Sequence, residues 1–337
     1  MKPPLRLAEI AAHAEVSEAT VSRVLNGRAG VAAGTRHRVL AALDVLGHER
    51  PVRLRRRSHG LIGLVLPELT NPIFPAFAQV VEQALAARGY TPVLCTQTPG
   101  GATEDELVEH LEERGVAGIV FLSGLHADIH ADTGRYRGLA ARGLPFVTVG
   151  GFRPEIPAPA VSPDDRAAAH TALAHLVELG HTVTGLAVGP DRYIPSARKQ
   201  EGYRAAHAAL GLPGEPLVRR TLFSVEGGHA AGLSLLDAGV TGVVCGSDPL
   251  ALGVIRAARE RGLRVPEDVS VVGFDDSPLI AFTDPPLTTV RQPVRAMATA
   301  AVGALLEAIG GNPVQHTEYL FAPELVVRAS TAPPPTR

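Results

Sequence analysis

Apolar positions in residues 5–47 recur every three or four places, the spacing of short amphipathic helices. Ile10, Ala11 and Ala14 share one face of a first helix over 5–14. Val21, Val24 and Leu25 share a face of a second, with Ser17 as a suitable N-cap and Gly27 and Gly30 at its end. Val39, Leu43 and Leu46 mark a third, which Gly47 terminates. Three short helices, two of them joined by a tight turn, predict a helix-turn-helix unit. The pattern changes at Leu61. Apolar runs at Leu61–Leu66, Thr91–Cys95, Val116–Phe121, Pro145–Val149, Thr184–Val188, Gly242–Cys245 and Val269–Gly273 read as strands, separated by helical stretches of 12–17 residues. That alternation implies parallel sheets in an α/β fold. A proline-rich bridge from Phe152 to Pro159 divides this body into two halves.

Charge sharpens the division. The 337-residue chain carries a formal net charge of −2, yet residues 1–59 hold 11 Lys and Arg against 5 Asp and Glu. A basic segment on an acidic body points to a polyanion-binding module joined to something else. Two cysteines, Cys95 and Cys245, exclude a disulfide framework and a multi-cysteine zinc site; both fall at strand ends and read as buried. No run of about 18 apolar residues predicts a transmembrane helix, and the first residues show no secretory signal, so a cytoplasmic location is expected.

The stretch Val16-Ser17-Glu18-Ala19-Thr20-Val21-Ser22-Arg23-Val24-Leu25-Asn26-Gly27 resembles the DNA-binding signature of the lac-repressor (LacI/GalR) family of ligand-responsive transcription regulators. In that family the second helix enters the major groove. The resemblance implies phosphate or backbone contacts from Ser17, Thr20, Ser22 and Asn26, and base-edge contacts from Glu18, Ala19 and Arg23. The chemistry agrees: Arg reads guanine O6 and N7 with two hydrogen bonds, Glu accepts from cytosine N4, and Ala packs on a thymine methyl. Thr35 and Arg36, opening the third helix, add phosphate contacts. One residue departs from the pattern: Glu15 stands where the family usually has Gly. A left-handed turn there would cost Glu roughly 1 kcal/mol.

In the family, the linker after the third helix folds on the operator and wedges a leucine into the minor groove. Here the basic linker, residues 48–59, lacks the usual Asn and Ala-Arg pair and is about three residues short. Arg53, Arg55, Arg56 and Arg57 suit phosphates or a narrow minor groove, and Leu54 is the candidate wedge. An unstructured basic linker is the other reading.

The resemblance runs nearly to the end of the chain. Thr70-Asn71-Pro72-Ile73-Phe74, Ser247-Asp248-Pro249-Leu250-Ala251-Leu252-Gly253 and Val265-Pro266-Glu267-Asp268-Val269-Ser270-Val271-Val272-Gly273-Phe274-Asp275-Asp276 carry it. It implies a two-lobed body like a periplasmic (type I) binding protein, two Rossmann-like subdomains around a ligand cleft. The expected organisation is a helix-turn-helix domain at 1–47, a hinge at 48–59 and an effector-binding and dimerisation domain at 60–337. Within the last, one lobe takes about 60–156 and 292–321, the other about 160–289 and 322–331. Ligands in open parallel sheets sit beyond the carboxyl ends of strands. There the resemblance assigns effector contacts to Asn71, Phe74, Arg192, Arg198, Phe223, Asp248, Asp275 and Gln292. Carboxylates accept hydroxyl hydrogen bonds and Arg donates a planar fork, a set that suits a sugar.

Simpler roles compete at several positions. Asp248 before Pro249 reads as a helix N-cap, Asp164 and Asp165 as a cap for a helix over 165–180, Arg198 as a partner of Glu201, and Phe74 and Phe223 as core. His126 and His130 have a metal-ligand spacing but fall on a surface segment after the third strand. His170, His175 and His181 read as helix-end contacts. Nucleotide-loop and nucleophile-elbow motifs are absent from the sequence, so no enzyme and no cofactor are expected. The reading is a regulator, most simply a repressor, that binds a near-palindromic operator as a homodimer under control of a small-molecule effector, with no membrane partner. The alternative is a sugar- or metabolite-binding protein whose head no longer reads DNA.

Overall fold

A computed structural model describes residues 7–26, 28, 30–48, 59–97 and 100–335. The chain falls into two units, residues 1–59 and 60–337. The first holds helices α1 (Leu7–Ala14), α2 (Glu18–Leu25) and α3 (Ala33–Val45). Their apolar faces meet in one core, in which Ile10, Val21, Val24, Val39 and Leu43 are fully buried. Ser17 caps α2, its Oγ accepting from the Thr20 N–H at 3.2 Å. The turn before it passes through Glu15 at φ 54°, the left-handed conformation that the sequence flags as costly. Arg38 of α3 ties down the turn by donating from Nε to the Ala14 carbonyl at 3.3 Å. The linker positions Arg53, Leu54, Arg55, Arg56 and Arg57 lie outside the described residues.

The second unit is two doubly wound lobes. In the N-lobe, β1 (Leu61–Leu66), β2 (Thr91–Thr96), β3 (Gly118–Leu122), β4 (Phe146–Val149), β5 (Ala160–Pro163) and β11 (Glu318–Phe321) form a parallel sheet ordered β11-β5-β4-β3-β1-β2. Helices α4 (Ile73–Ala87) and α11 (Val294–Ile309) bury Phe77, Val81, Leu85, Val302 and Leu305 on one face. On the other, α5 (Glu104–Glu113) and α6 (Gly134–Ala141) bury Val108, Leu111, Tyr136 and Leu139.

The C-lobe sheet contains β6 (Thr184–Val188), β7 (Leu217–Arg220), β8 (Gly242–Cys245), β9 (Ser270–Asp275), β10 (Thr288–Arg291) and β12 (Glu324–Val326), ordered β12-β10-β9-β8-β6-β7. All neighbours are parallel except β10 and β12. Helices α7 (Asp165–Glu178) and α8 (Ile194–Ala209) cover one face, α9 (Val225–Asp237) and α10 (Asp248–Glu260) the other. Strands buried on both faces explain the continuous apolar runs of the sequence.

The lobe boundary departs from expectation. The proline-rich bridge does not leave the N-lobe. Its Pro159 carbonyl accepts from the Thr148 N–H at 3.1 Å, and Ala160–Pro163 continues as a fifth strand between β4 and β11. The first crossing therefore follows Pro163 rather than residue 156. The others fall between Arg291 and Val294 and between Phe321 and Glu324. Strand β7, a half-exposed edge strand reading Leu-Val-Arg-Arg, has too little apolar pattern to be legible in sequence. The helices of this unit run from 8 to 16 residues, shorter than the expected 12–17.

Candidate functional site

On the helix-turn-helix unit, α2 turns Val21, Val24 and Leu25 inward and leaves Ser17, Glu18, Ala19, Arg23 and Asn26 exposed. Thr20 and Ser22 are half-buried beside them. The polar residues are held before any ligand arrives. Ser17 Oγ lies 2.9 Å from Thr20 Oγ1, and Asn26 Nδ2 donates to the Ser22 carbonyl at 2.9 Å. Of the α3 pair, Arg36 reaches back to the Arg28 carbonyl at 3.4 Å, and Thr35 is half-buried. Glu18, Ala19 and Arg23 thus stand exposed on one helix.

In the second unit, loops at the carboxyl ends of the strands of both lobes converge on a cavity of about 380 Å³. Asn71, Gln97 and Ser123 follow β1, β2 and β3; Tyr193, Phe223 and Ser247 follow β6, β7 and β8. Phe274 and Asp275 close β9, and Gln292 follows β10. Helices α7 and α8 contribute Asp165 and Lys199. This is where open parallel sheets bind ligands, at a volume typical of small-molecule sites. Aromatic faces come from Phe74, Tyr193, Phe223 and Phe274. Phe223 packs so closely on Gly189 that a Cβ there would fall 2.0 Å from its ring, so a side chain at 189 would displace this aromatic face.

The polar groups are mostly paired. Lys199 Nζ lies 2.5 Å from Asp165 Oδ1 and 3.8 Å above the Phe274 ring centroid. Burial pushes the Asp165 carboxyl up, against the pull of Lys199. Asp275 Oδ1 accepts from Gln292 Nε2 at 2.5 Å. Burial, and then the neighbouring Asp248, holds the Asp275 carboxyl well above the usual carboxylate range. Asn71 Oδ1 accepts from the Ile73 N–H at 3.3 Å, which leaves its NH₂ for a ligand. The cationic group at the cavity, Lys199, is thus committed to a carboxylate.

Five of the expected effector positions line this cavity: Asn71, Phe74, Phe223, Asp275 and Gln292. Three do not. Asp248 is 1% exposed and faces its own lobe, its carboxylate accepting from Ser277 N at 2.7 Å, Ser277 Oγ at 2.5 Å and Thr289 Oγ1 at 2.6 Å. Nor is it the N-cap of α10: Ser247 is, accepting from Leu250 N at 3.4 Å. Arg198 forks onto Glu318 instead of the expected Glu201, which pairs with Arg166. Successive residues of a helix point about 100° apart, so it is Lys199 that enters the cavity. Arg192 is half exposed, its Nε 3.4 Å from Asp128 Oδ2. Asp164, not Asp165, caps α7.

Other expectations also change. His126 is not on a surface segment: it is fully buried, with Nε2 3.1 Å from the Val149 carbonyl. Among the described residues no group of three His, Cys, Asp or Glu is placed to hold a metal ion. Cys245 is buried, whereas Cys95, on the edge strand β2, is half-buried. Sequence reasoning does not single out Gln97, Tyr193 or Lys199. A signal existed for the last: Lys199 is one of two lysines in a chain otherwise using arginine.

Comparison with known proteins gives the same picture. Residues 6–50 match the profile described as bacterial regulatory proteins, lacI family, and residues 173–331 match a periplasmic binding protein-like domain. An uncharacterized HTH-type transcriptional regulator in the aml 5′ region of Streptomyces limosus is 72% identical over 331 residues, covering 97% of this chain and 94% of that one. The HTH-type transcriptional regulator MalR of Streptomyces coelicolor is 65% identical over 335 residues, with 98% and 97% covered. Among solved structures, a complex of the transcriptional regulator CelR with cellobiose is 32% identical with a TM-score of 0.72, covering 98% of this chain and all of that one. The lac repressor dimer bound to operator and the anti-inducer ONPF is 26% identical with a TM-score of 0.70, over the same shares. Whole-length identity and shared architecture agree with the helix-turn-helix signature, and the chain belongs to the lacI family of bacterial transcriptional regulators.

Proposed function

We propose that this regulator reads a near-palindromic operator as a homodimer, with Glu18, Ala19 and Arg23 of α2 at base edges, and that a neutral sugar between the lobes of each body sets its operator affinity. The observation that carries the effector reading is the cavity itself. It joins four aromatic faces to a ring of amides, hydroxyls and carboxyls, the combination that packs on a sugar ring and satisfies its hydroxyls. The CelR structure, solved with cellobiose, supports that chemistry. With Lys199 bound to Asp165, the cavity offers no uncommitted ammonium to a phosphate, which favours an uncharged ligand. The operator-bound lac repressor dimer supports the homodimer, and one helix-turn-helix reads only a half-site. A sugar that binds open and closed lobes with different affinity biases their angle, and through it the spacing of the two heads.

Selection from a random DNA pool tests the operator half of this reading. An enriched near-palindrome with half-sites about one helical turn apart is expected. Recovery of unrelated sequences would contradict it. Calorimetry against a panel of neutral mono- and disaccharides tests the effector half, with binding of at least one member expected and loss of that binding in Phe223→Ala.

A further inference from the structure

The N-lobe wall of the cleft is backed by one buried carboxylate. Glu104, on the first turn of α5, is 1% exposed. Its Oε2 accepts from Gln97 Nε2 and from the Leu125 N–H, both at 2.9 Å, and its Oε1 from the Tyr136 hydroxyl at 2.5 Å. Arg135 Nη1 lies 3.7 Å from Oε1. Burial, reinforced by Glu104, pushes the Tyr136 hydroxyl up, so it keeps its proton and donates. Gly124 lets the loop after β3 close on this group: a Cβ there would sit 2.5 Å from Oε2. The Leu125 N–H and the Tyr136 hydroxyl both donate to Glu104, so the carboxylate acts as an acceptor and calls for the NH₂ of Gln97 rather than its carbonyl.

Gln97 itself lines the cavity. With its NH₂ committed to Glu104, its Oε1 is the atom left to meet a ligand. Gln292, in the crossing after β10, stands the same way, its Nε2 on Asp275. We infer that Glu104 is a positioning residue for effector selectivity: it fixes the Gln97 amide so that the cleft offers an acceptor to one sugar hydroxyl. This rests on the reading of the cleft as a sugar site. In Glu104→Gln the new carbonyl would stay on the Leu125 N–H and still hold the Gln97 NH₂, because Tyr136 can accept from the new amide. Glu104→Leu removes the acceptor altogether and leaves the Gln97 amide free to present either its donor or its acceptor to the cavity.

The test uses the full chain and calorimetry with neutral mono- and disaccharides, cellobiose among them, followed by the monodeoxy and O-methyl forms of the best binder. Wild type is expected to prefer the parent sugar over the analogue altered at one hydroxyl by about tenfold, the worth of one hydrogen bond in a buried site. Glu104→Leu and Gln97→Met should bring that ratio to about twofold or less while leaving the ratios at the other hydroxyls unchanged. Gly124→Ala, which displaces Oε2, should do the same and carries the test if Glu104→Leu fails to fold. A loss spread evenly over all analogues, or an unchanged ratio at every hydroxyl, overturns the inference and leaves the sugar reading standing. Failure of wild type to bind any sugar of the panel overturns both.

Discussion

Arg198 of α8, in the C-lobe, grips Glu318 of β11, in the N-lobe, through two hydrogen bonds of 2.6 and 2.9 Å. Both side chains are nearly buried, at 13% and 12% exposure, so the pair is shielded from the screening that makes surface ion pairs weak. It ties the two lobes together. Arg198→Met and Glu318→Met should each lower unfolding stability, and a double-mutant cycle should show a coupling of about 1–3 kcal/mol. Urea denaturation of the four proteins measures it, and additive effects would mean that the two residues act independently.

Lys199 and Asp165 form a more deeply buried pair on the cavity wall. Removing one partner leaves a carboxyl in an apolar setting beside Phe274. Lys199→Met should therefore cost about 3–5 kcal/mol of unfolding free energy, and adding Asp165→Asn should restore much of it. The midpoint of denaturation reads both, and equal loss in the single and double variants would contradict the pairing.

His126 gives a pH dependence with a defined sign. Burial brings its imidazole down to about 4, while the unfolded chain takes up this proton near 6.5. Between those values the unfolded state binds more protons, so the contribution is full above pH 6.5 and shrinks as pH falls. The loss reaches about 3 kcal/mol by pH 4. His175 and His181, also lowered by burial, act in the same direction, whereas the raised Asp275 acts oppositely. The readout is therefore the difference between proteins: from pH 7.5 to 4.5, melting temperature should fall less steeply for His126→Gln than for wild type. Parallel curves would show that His126 does not titrate in this window.

Arg23, exposed on α2, is the residue proposed to read a base. Arg23→Ala should weaken binding to the selected operator by ~1–3 kcal/mol and relax specificity at one base pair, with a smaller effect on random DNA. Fluorescence anisotropy with both DNAs distinguishes this from a phosphate contact, which would weaken the two equally.

Much of the architecture was legible because local pattern and tertiary burial coincide. Val21, Val24 and Leu25 recur at helical spacing and do face the head core, and Ser17 does cap α2. The central strands β1 and β8 are apolar throughout because helices cover both faces of their sheets. The site was only partly legible. Sequence places Arg198 and Lys199 side by side, but which of them enters the cleft depends on the rotation of α8, set where Tyr203 and Ala206 pack beside Leu173 and Leu176 of α7. Asp248 follows a strand as a ligand-binding residue would, yet its partners Ser277 and Thr289 stand 29 and 41 residues away and draw the carboxylate inward. Glu104 escaped notice for the same reason: its donors Gln97, Leu125 and Tyr136 come from three separate segments that only the folded lobe assembles.

The central claim is that sugar in the cleft and operator on the head are coupled, and linkage makes that measurable from both sides. Operator affinity of the full chain is titrated by anisotropy with and without saturating sugar, and sugar affinity by calorimetry with and without operator. The account predicts that sugar changes the operator Kd by about 5- to 150-fold and that operator changes the sugar Kd by the same factor. An operator Kd that is identical in the two conditions, from protein that still binds the sugar, would contradict it.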